Sequence, residues 1–168
     1  MTDPTVLILM GSDSDLSTMQ ETAKVLDKFG VPFEIHVSSA HRSPAKTGKL
    51  AREAAGRGVQ VIIAAAGVAA HLAGVVASET ALPVIGVPMA GGALNGVDAL
   101  YSMVQMPGGM PVGTMAIGKA GAKNAGLFAV QILSLANPDL RAKYADYKAW
   151  MADEVEQKDA ELQALRRT

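Results

Sequence analysis

The sequence contains no cysteine, few aromatic residues and no long unbroken apolar run. Without cysteine, the chain can form neither disulfide bonds nor thiolate metal sites. Aromatic residues make up 4% of the chain, which leaves few rings to stack on a flavin. No stretch of about 18 uninterrupted apolar residues occurs, so we predict no membrane span. The first residues lack the basic start and apolar core of a secretion signal, and we expect a soluble, cytoplasmic protein.

Charge is nearly balanced overall but is distributed unevenly. The formal net charge of −1 gives no electrostatic reason to expect nucleic acid or an anionic membrane as a partner. Only four charged residues fall between positions 60 and 136, whereas thirteen fall in the last 32 positions. We expect part of this apolar middle segment to be covered by other subunits.

Apolar runs alternate with helical patterns through the first 136 residues. Five runs predict strands, at positions 5–11, 33–38, 59–67, 83–88 and 111–118. Continuous apolar runs are typical of strands that are buried on both faces of a parallel sheet. The short loops between strands and helices predict an α/β fold, a flavodoxin-like three-layer sandwich with a five-stranded parallel sheet.

We interpret residues 1–168 as a single catalytic domain with a helical tail. Asn137 suits the N-cap of a long helix, and Pro138 suits its first residue. Apolar residues then recur at helical spacing, at Leu140, Tyr144, Tyr147, Met151, Val155, Leu162 and Leu165. The helix could lie on its own domain, but its length favours a C-terminal extension, residues 137–168, at a subunit interface.

Ligands of open α/β sheets bind beyond the carboxyl ends of the strands, and the loop after the first strand is polar there. This loop reads "GSDSD", and Ser12 and Ser14 offer hydroxyls beside the N–H groups of a helix start. That combination favours an anion such as phosphate. Asp15 could accept hydrogen bonds from a ribose or an amine. The alternative is that these residues only cap the helix.

The loop after the second strand, "SSAHRSP", combines a fixed cation with a proton carrier. Arg42 can hold a phosphate or a carboxylate through two parallel N–H bonds. His41 can take up or release a proton near neutral pH. Ser39 adds a further hydroxyl. A purely structural role for His41 remains the alternative.

The loop after the third strand, "AAAGVAAHLAG", has almost no polar side chain except His71. Alanine and glycine allow backbone groups to come close to a ligand. His71 could instead be an ordinary histidine at a helix start, and His36, within the second strand, is interpreted as structural. We find no clustered carboxylates or paired histidines that predict a metal site. The residues thus indicate a small phosphorylated ligand and a histidine that handles protons, but no particular reaction.

Several motifs together resemble the catalytic subunit of the phosphoribosylaminoimidazole carboxylase family, over about positions 6–138. They are "MGSDSD", "SSAHRSP", "AAHLAG", "LPVIGVP" and "VDALYSMVQMPGGMPVGTMAIGKAGAKNAGLFAVQIL". The chain is most similar to the bacterial form, the N5-carboxyaminoimidazole ribonucleotide mutases. The resemblance implies an isomerase that moves a carboxylate from the exocyclic nitrogen to ring carbon C4 in de novo purine biosynthesis. It also implies a flavodoxin-like homo-octamer that uses no ATP, metal or organic cofactor.

The resemblance implies a set of site residues as well. His41 matches the family's proton-transfer residue, the general acid and base. The expected substrate-binding residues are Ser12, Ser14, Asp15, Ser39, Arg42, Gly67, His71 and Leu72. We expect Arg42 and the serines to hold phosphate, Asp15 to hold ribose, and the loop around His71 to hold CO2.

The chain departs from the family pattern in the third loop. Val68 and Ala73 stand where the family usually has glycine and proline. If Val68 adopts a positive φ, the strain costs about 1–3 kcal/mol. Three alternatives to the mutase remain: a direct carboxylase that uses free CO2, a non-catalytic nucleotide-binding module, and a structural oligomer that binds no ribonucleotide. The third loop favours the mutase over the carboxylase.

Overall fold

The computed structural model describes residues 3–166 and contains one central sheet with helices on both faces. The strands are Val6–Met10 (β1), Phe33–Val37 (β2), Val61–Ala66 (β3), Val84–Pro88 (β4) and Gly113–Thr114 (β5). The helices are Leu16–Phe29 (α1), Pro44–Glu53 (α2), Leu72–Glu79 (α3), Val97–Val104 (α4), Lys119–Ser134 (α5) and Pro138–Leu165 (α6). Short 3₁₀ turns occupy Asp13–Asp15 and Ala55–Arg57.

All five strands are parallel, in the order β2-β1-β3-β4-β5. This is the flavodoxin-like order, and it confirms the predicted fold class. Every residue of β1 and β3 is buried, as the continuous apolar runs of these segments indicated. The parallel arrangement brings the carboxyl ends of the strands to one edge of the sheet, where the loops of interest lie.

Two apolar cores cover the two faces of the sheet. Along β1, Val6, Ile8 and Met10 contribute to the core under α1, α5 and the start of α6. Leu7 and Leu9 contribute to the core under α2, α3 and α4. This alternation follows from the two-residue repeat of a strand, and it fixes the strands rigidly between the helical layers.

Helices α1 and α5 approach each other closely. A Cβ atom added to Gly126 would lie 2.9 Å from Val25 Cβ, so only glycine fits this crossing without a shift. The buried Thr22 hydroxyl donates a hydrogen bond to the Ala122 carbonyl oxygen at 2.6 Å. This contact ties the two helices together and satisfies a polar group inside the core.

The fifth strand is much shorter in the structure than in the sequence-based assignment. Strand β5 covers only two residues of the predicted 111–118, because Pro111 has no N–H to pair and Gly118, with φ 74°, turns the chain away. Two isolated hydrogen bonds, from Met115 N to Gly86 O and from Gly118 N to Pro88 O, continue the contact with β4. Helix α2 ends at Glu53, and the 3₁₀ turn Ala55–Arg57 follows it before Gly58.

The C-terminal helix begins as predicted. The Asn137 side chain accepts a hydrogen bond from Leu140 N at 3.0 Å, and Pro138 is the first helical residue. The first half of α6 lies on its own domain, where Tyr147 is buried edge-on against Phe29 at 5.6 Å between ring centroids. Within residues 3–166, no helix is both long and apolar enough to cross a membrane.

The second half of α6 extends past the sheet. Three apolar side chains there remain mostly exposed: Val155 at 64%, Leu162 at 53% and Leu165 at 75%. The helix therefore combines both alternatives of the sequence-based interpretation, since one half covers its own domain and the other extends beyond the sheet with exposed apolar side chains. A subunit interface at residues 137–168 stays a prediction.

Candidate active site

The loops after β1, β2, β3 and β4 line an open cavity of about 410 Å³ at the carboxyl edge of the sheet. All nine predicted site residues line it: Ser12, Ser14, Asp15, Ser39, His41, Arg42, Gly67, His71 and Leu72. The structure thus brings together three loops that are far apart in sequence. Their shared position follows from the parallel sheet, because parallel strands end at the same edge.

A fourth loop also lines the cavity, and the sequence-based site did not include it. Met89, Ala90 and Gly91 follow the end of β4 and contribute to the cavity wall. The same rule on strand ends points to this loop. None of these three residues has a polar side chain that would single it out, so their role is visible only once the sheet order is known.

The first loop is held by a reciprocal pair of caps. Ser12 Oγ accepts from Ser14 N at 3.3 Å, and Asp15 Oδ2 accepts from Ser12 N at 3.2 Å. The capping interpretation of these residues is therefore correct, and the same side chains also line the cavity. Burial raises the pKa of Asp15, although hydrogen bonds from Ser12 and Ser14 oppose this effect.

The second loop is fixed to the first through Arg42. Its Nη2 donates to the Gly11 carbonyl oxygen at 2.9 Å, and its backbone N–H donates to Ser39 Oγ at 3.2 Å. The Ser43 hydroxyl donates to the Ser39 carbonyl oxygen at 3.1 Å and closes the turn. These bonds hold the guanidinium group at the cavity while committing only part of its five N–H donors.

The second and third loops meet through two histidines. His41 Nε2 lies 2.8 Å from His71 Nδ1, with the two ring planes nearly perpendicular at 87°. One ring donates and the other accepts, and which does so depends on the tautomers. The sequence indicated each histidine separately but not the bond between them.

The third loop is tightly wound and comes close to β4. A Cβ atom on Gly67 would lie 3.3 Å from Met89 Cβ, so a larger residue would crowd the cavity wall. Val68 has a positive φ of 56°, and backbone strain was expected for this valine if its φ was positive. Ala70 N donates to Val68 O at 3.0 Å and holds this conformation. Leu72 starts α3 and is buried, with one side against the cavity.

His36 lies outside the cavity and has a structural environment, as predicted. Its Nε2 is 3.3 Å from Glu34 Oε2, and Arg57 Nη2 donates to Glu34 Oε1 at 2.6 Å. Burial alone would raise the pKa of Glu34, but Arg57 and His36 outweigh it and hold that pKa below its usual value. In the described part of the chain, no group of three or more histidine or acidic residues is placed to hold a metal ion.

A parallel α/β sheet with a cavity at its carboxyl edge, lined by apolar residues and a few polar side chains, is typical of small-molecule-binding α/β proteins. Comparison with known proteins narrows this class. A family model described as AIR carboxylase matches residues 5–154. The chain is 54% identical to the N5-carboxyaminoimidazole ribonucleotide mutase of Mycobacterium tuberculosis, over 96% of this chain and 92% of the relative. It is 51% identical to the mutase of the same name from Pyrococcus horikoshii, over 96% of this chain and 90% of the relative.

A solved structure agrees with these sequence matches. The crystal structure of Treponema denticola PurE superimposes with a TM-score of 0.86 at 29% identity, covering 95% of this chain and 98% of that one. The chain therefore belongs to the AIR carboxylase family.

Proposed function

We propose that the protein converts N5-carboxyaminoimidazole ribonucleotide into 4-carboxy-5-aminoimidazole ribonucleotide, a step of de novo purine biosynthesis. It is an isomerase, because the carboxylate moves within one molecule. The observation that carries the proposal is the single cavity where His41, Arg42 and Asp15 meet. The two mutases that are 51% and 54% identical over nearly the whole chain support the same activity.

Binding of the ribonucleotide determines where its ring lies. Arg42 and the hydroxyls of Ser12, Ser14 and Ser39 hold the phosphate, since a guanidinium group and hydroxyl donors match phosphate oxygens. Asp15 accepts hydrogen bonds from the ribose. A cavity of about 410 Å³ lies within the usual range for small-molecule sites. With the phosphate beside Arg42, the aminoimidazole ring comes within reach of His41, the preceding residue in the chain.

His41 transfers the proton that the reaction needs at two points. Protonation of the exocyclic nitrogen lets the carbamate C–N bond break, and the bonding electron pair stays on nitrogen as CO2 leaves. Ring carbon C4 is electron-rich and attacks this CO2, after which the C4 proton returns to the histidine. The proton is thus recovered, and no other reactant is consumed. A positioned acid and base of this kind contributes about 10²–10⁴-fold to a rate.

The third loop forms the CO2 pocket. Gly67 and Leu72 give it apolar walls, and backbone N–H groups of the loop can face a carboxylate. Holding CO2 next to C4 makes the second step effectively intramolecular, which is a large advantage over capture from solution. The reaction uses no ATP, metal or organic cofactor, so treatment with a chelator should leave the rate unchanged.

Residues 1–168 form a single catalytic domain that assembles as a homo-octamer, with residues 137–168 at a subunit interface. Support comes from apolar side chains that this chain leaves exposed, including Leu94 at 60%, Tyr101 at 60% and Leu165 at 75%. The working location is the cytoplasm, because a phosphorylated substrate does not cross membranes freely. Light scattering should give a particle of eight chains of 17.3 kDa. A monomeric mass would contradict the assembly but not the reaction.

The activity is tested by incubating the protein with N5-carboxyaminoimidazole ribonucleotide in the absence of ATP and added bicarbonate. We expect formation of the C4 carboxylate. Conversion of aminoimidazole ribonucleotide only when bicarbonate is added would identify a direct carboxylase instead. Ribonucleotide binding without either conversion would identify a non-catalytic binding module, and no binding would leave a structural oligomer.

A further inference from the structure

Val68 is a strained residue in the cavity wall. Besides glycines, only Val68 and Asn95 have positive φ in the described residues 3–166, at 56° and 49°. Asparagine tolerates the left-handed region, whereas a β-branched residue rarely adopts it. Hydrogen bonds from Ala70 N to Val68 O and from His71 N to Ala69 O hold the loop in this shape. Such strain persists only where the surrounding structure imposes it, and it concentrates at functional sites.

Packing in the core does not explain why a valine occupies this position. The Val68 side chain is 56% exposed, so little of it is buried against the rest of the domain. A glycine would adopt the same backbone conformation without strain. Within a single chain, the strain of this side chain relative to glycine is not offset by burial, which points to a use at the cavity.

The position of the isopropyl group indicates that use. Val68 lines the cavity together with Gly67 and His71. Its Cγ2 atom lies 3.5 Å from the position that a Cβ atom on Gly92 would occupy. The side chain thus extends from the loop after β3 towards the segment after β4, so the methyl groups narrow the gap between two walls of the cavity.

We propose that the Val68 side chain retains CO2 in the cavity between the two half-steps of the carboxylate transfer. The proposal rests on the proposed function. After the C–N bond breaks, CO2 is neutral and is held by no covalent bond until C4 attacks it. Only the shape of the pocket then prevents its exchange with dissolved CO2. An apolar group at the gap limits both the escape of CO2 and the entry of water.

Isotope exchange tests this role. Three proteins are compared: the wild type and the variants Val68→Ala and Val68→Gly. Each converts unlabelled substrate in a solution of ¹³C-bicarbonate, to which carbonic anhydrase is added so that dissolved CO2 carries the label. The ¹³C content of the C4 carboxylate is measured during initial turnover. We expect several-fold more label in the product of both variants than of wild type, together with free aminoimidazole ribonucleotide. Asn95→Gly is the control, because it relieves the left-handed conformation at a residue that does not line the cavity. Its product should contain as much ¹³C as the product of the wild type.

The two variants separate the side chain from the strain. Val68→Ala removes the methyl groups but keeps a Cβ, whereas Val68→Gly also relieves the backbone, which a higher melting temperature of that variant should show. Label that rises only with glycine would overturn the retaining role and assign the effect to loop flexibility. Equal label in all proteins would overturn the proposal while leaving the function intact. Failure of the wild type to convert the substrate would overturn the proposed function and this role with it.

Discussion

His41 Nε2 and His71 Nδ1 lie 2.8 Å apart, so a hydrogen bond between two imidazoles joins the loops after β2 and β3. When His41 is protonated, both of its nitrogens are donors, and a neutral His71 can accept through Nδ1. The pair can therefore hold the His41 ring in one orientation. His71 in this role is a positioning residue for the proton transfer.

His71→Leu should lower kcat by about fivefold, because a net hydrogen bond of about 1 kcal/mol to His41 is lost. The Kd of the substrate should change little. His71→Asn offers an acceptor again and should recover part of the rate, and the pH dependence of kcat should differ between the two variants. A large loss of affinity at unchanged kcat would assign His71 to substrate binding alone.

Arg42→Met should raise KM by about 10–100-fold with a smaller effect on kcat, since charge-assisted bonds to phosphate contribute about 1.5–3 kcal/mol. Steady-state kinetics at low and high salt measure this effect. Lys46→Met is a suitable control, because Lys46 is a nearby cation that donates to the Val37 carbonyl oxygen at 2.8 Å and does not line the cavity. An equal rise in KM for both variants would show a general charge effect rather than a phosphate site.

Asp15→Asn should stabilise the fold at neutral pH while weakening substrate binding. Burial raises the pKa of Asp15 above its ordinary value of 3.8, so ionisation is less favourable in the folded than in the unfolded protein. The free energy of unfolding of the wild type therefore falls as the pH rises from the ordinary pKa of Asp15 to its raised pKa in the folded protein. The variant should therefore be more stable than the wild type at pH 7, and the gain should vanish below the ordinary pKa.

Urea unfolding of Asp15→Asn at several pH values measures this difference. Asp13→Asn should change this pH dependence less, because the charge of Asp13 raises the pKa of Asp15 less than burial does, and Asp13 is exposed and does not line the cavity. The opposite pH dependence, with the variant gaining stability only in acid, would contradict the assignment of burial as the dominant effect on Asp15.

The strands and the order of the layers could be predicted from the sequence because local signals decide them. Buried parallel strands such as β1 and β3 are continuous apolar runs, and the site follows from where such strands end. Strand β5 was overestimated because its pairing depends on a neighbour, β4, and on an irregular edge near Pro111 and Gly118. The strand propensities of residues along the chain do not show which strand β5 pairs with or where that pairing ends.

The contacts within the site could not be predicted in the same way. The His41–His71 bond joins residues 30 positions apart, and it depends on side-chain rotamers in the folded protein. The choice between capping and ligand binding for Ser12 and Asp15 was posed as an alternative, yet one geometry is compatible with both. The loop after β4 was missed because it contributes backbone and apolar atoms, for which the sequence has no distinctive pattern.

The most direct test compares wild type with His41→Asn on N5-carboxyaminoimidazole ribonucleotide, without ATP or added bicarbonate. Asparagine has a similar size and can accept a hydrogen bond but does not titrate near neutral pH. We expect the wild type to form the C4 carboxylate, and the variant to bind the substrate with similar Kd while its turnover falls by about 10²–10⁴-fold. A variant that keeps wild-type turnover would contradict proton transfer by His41.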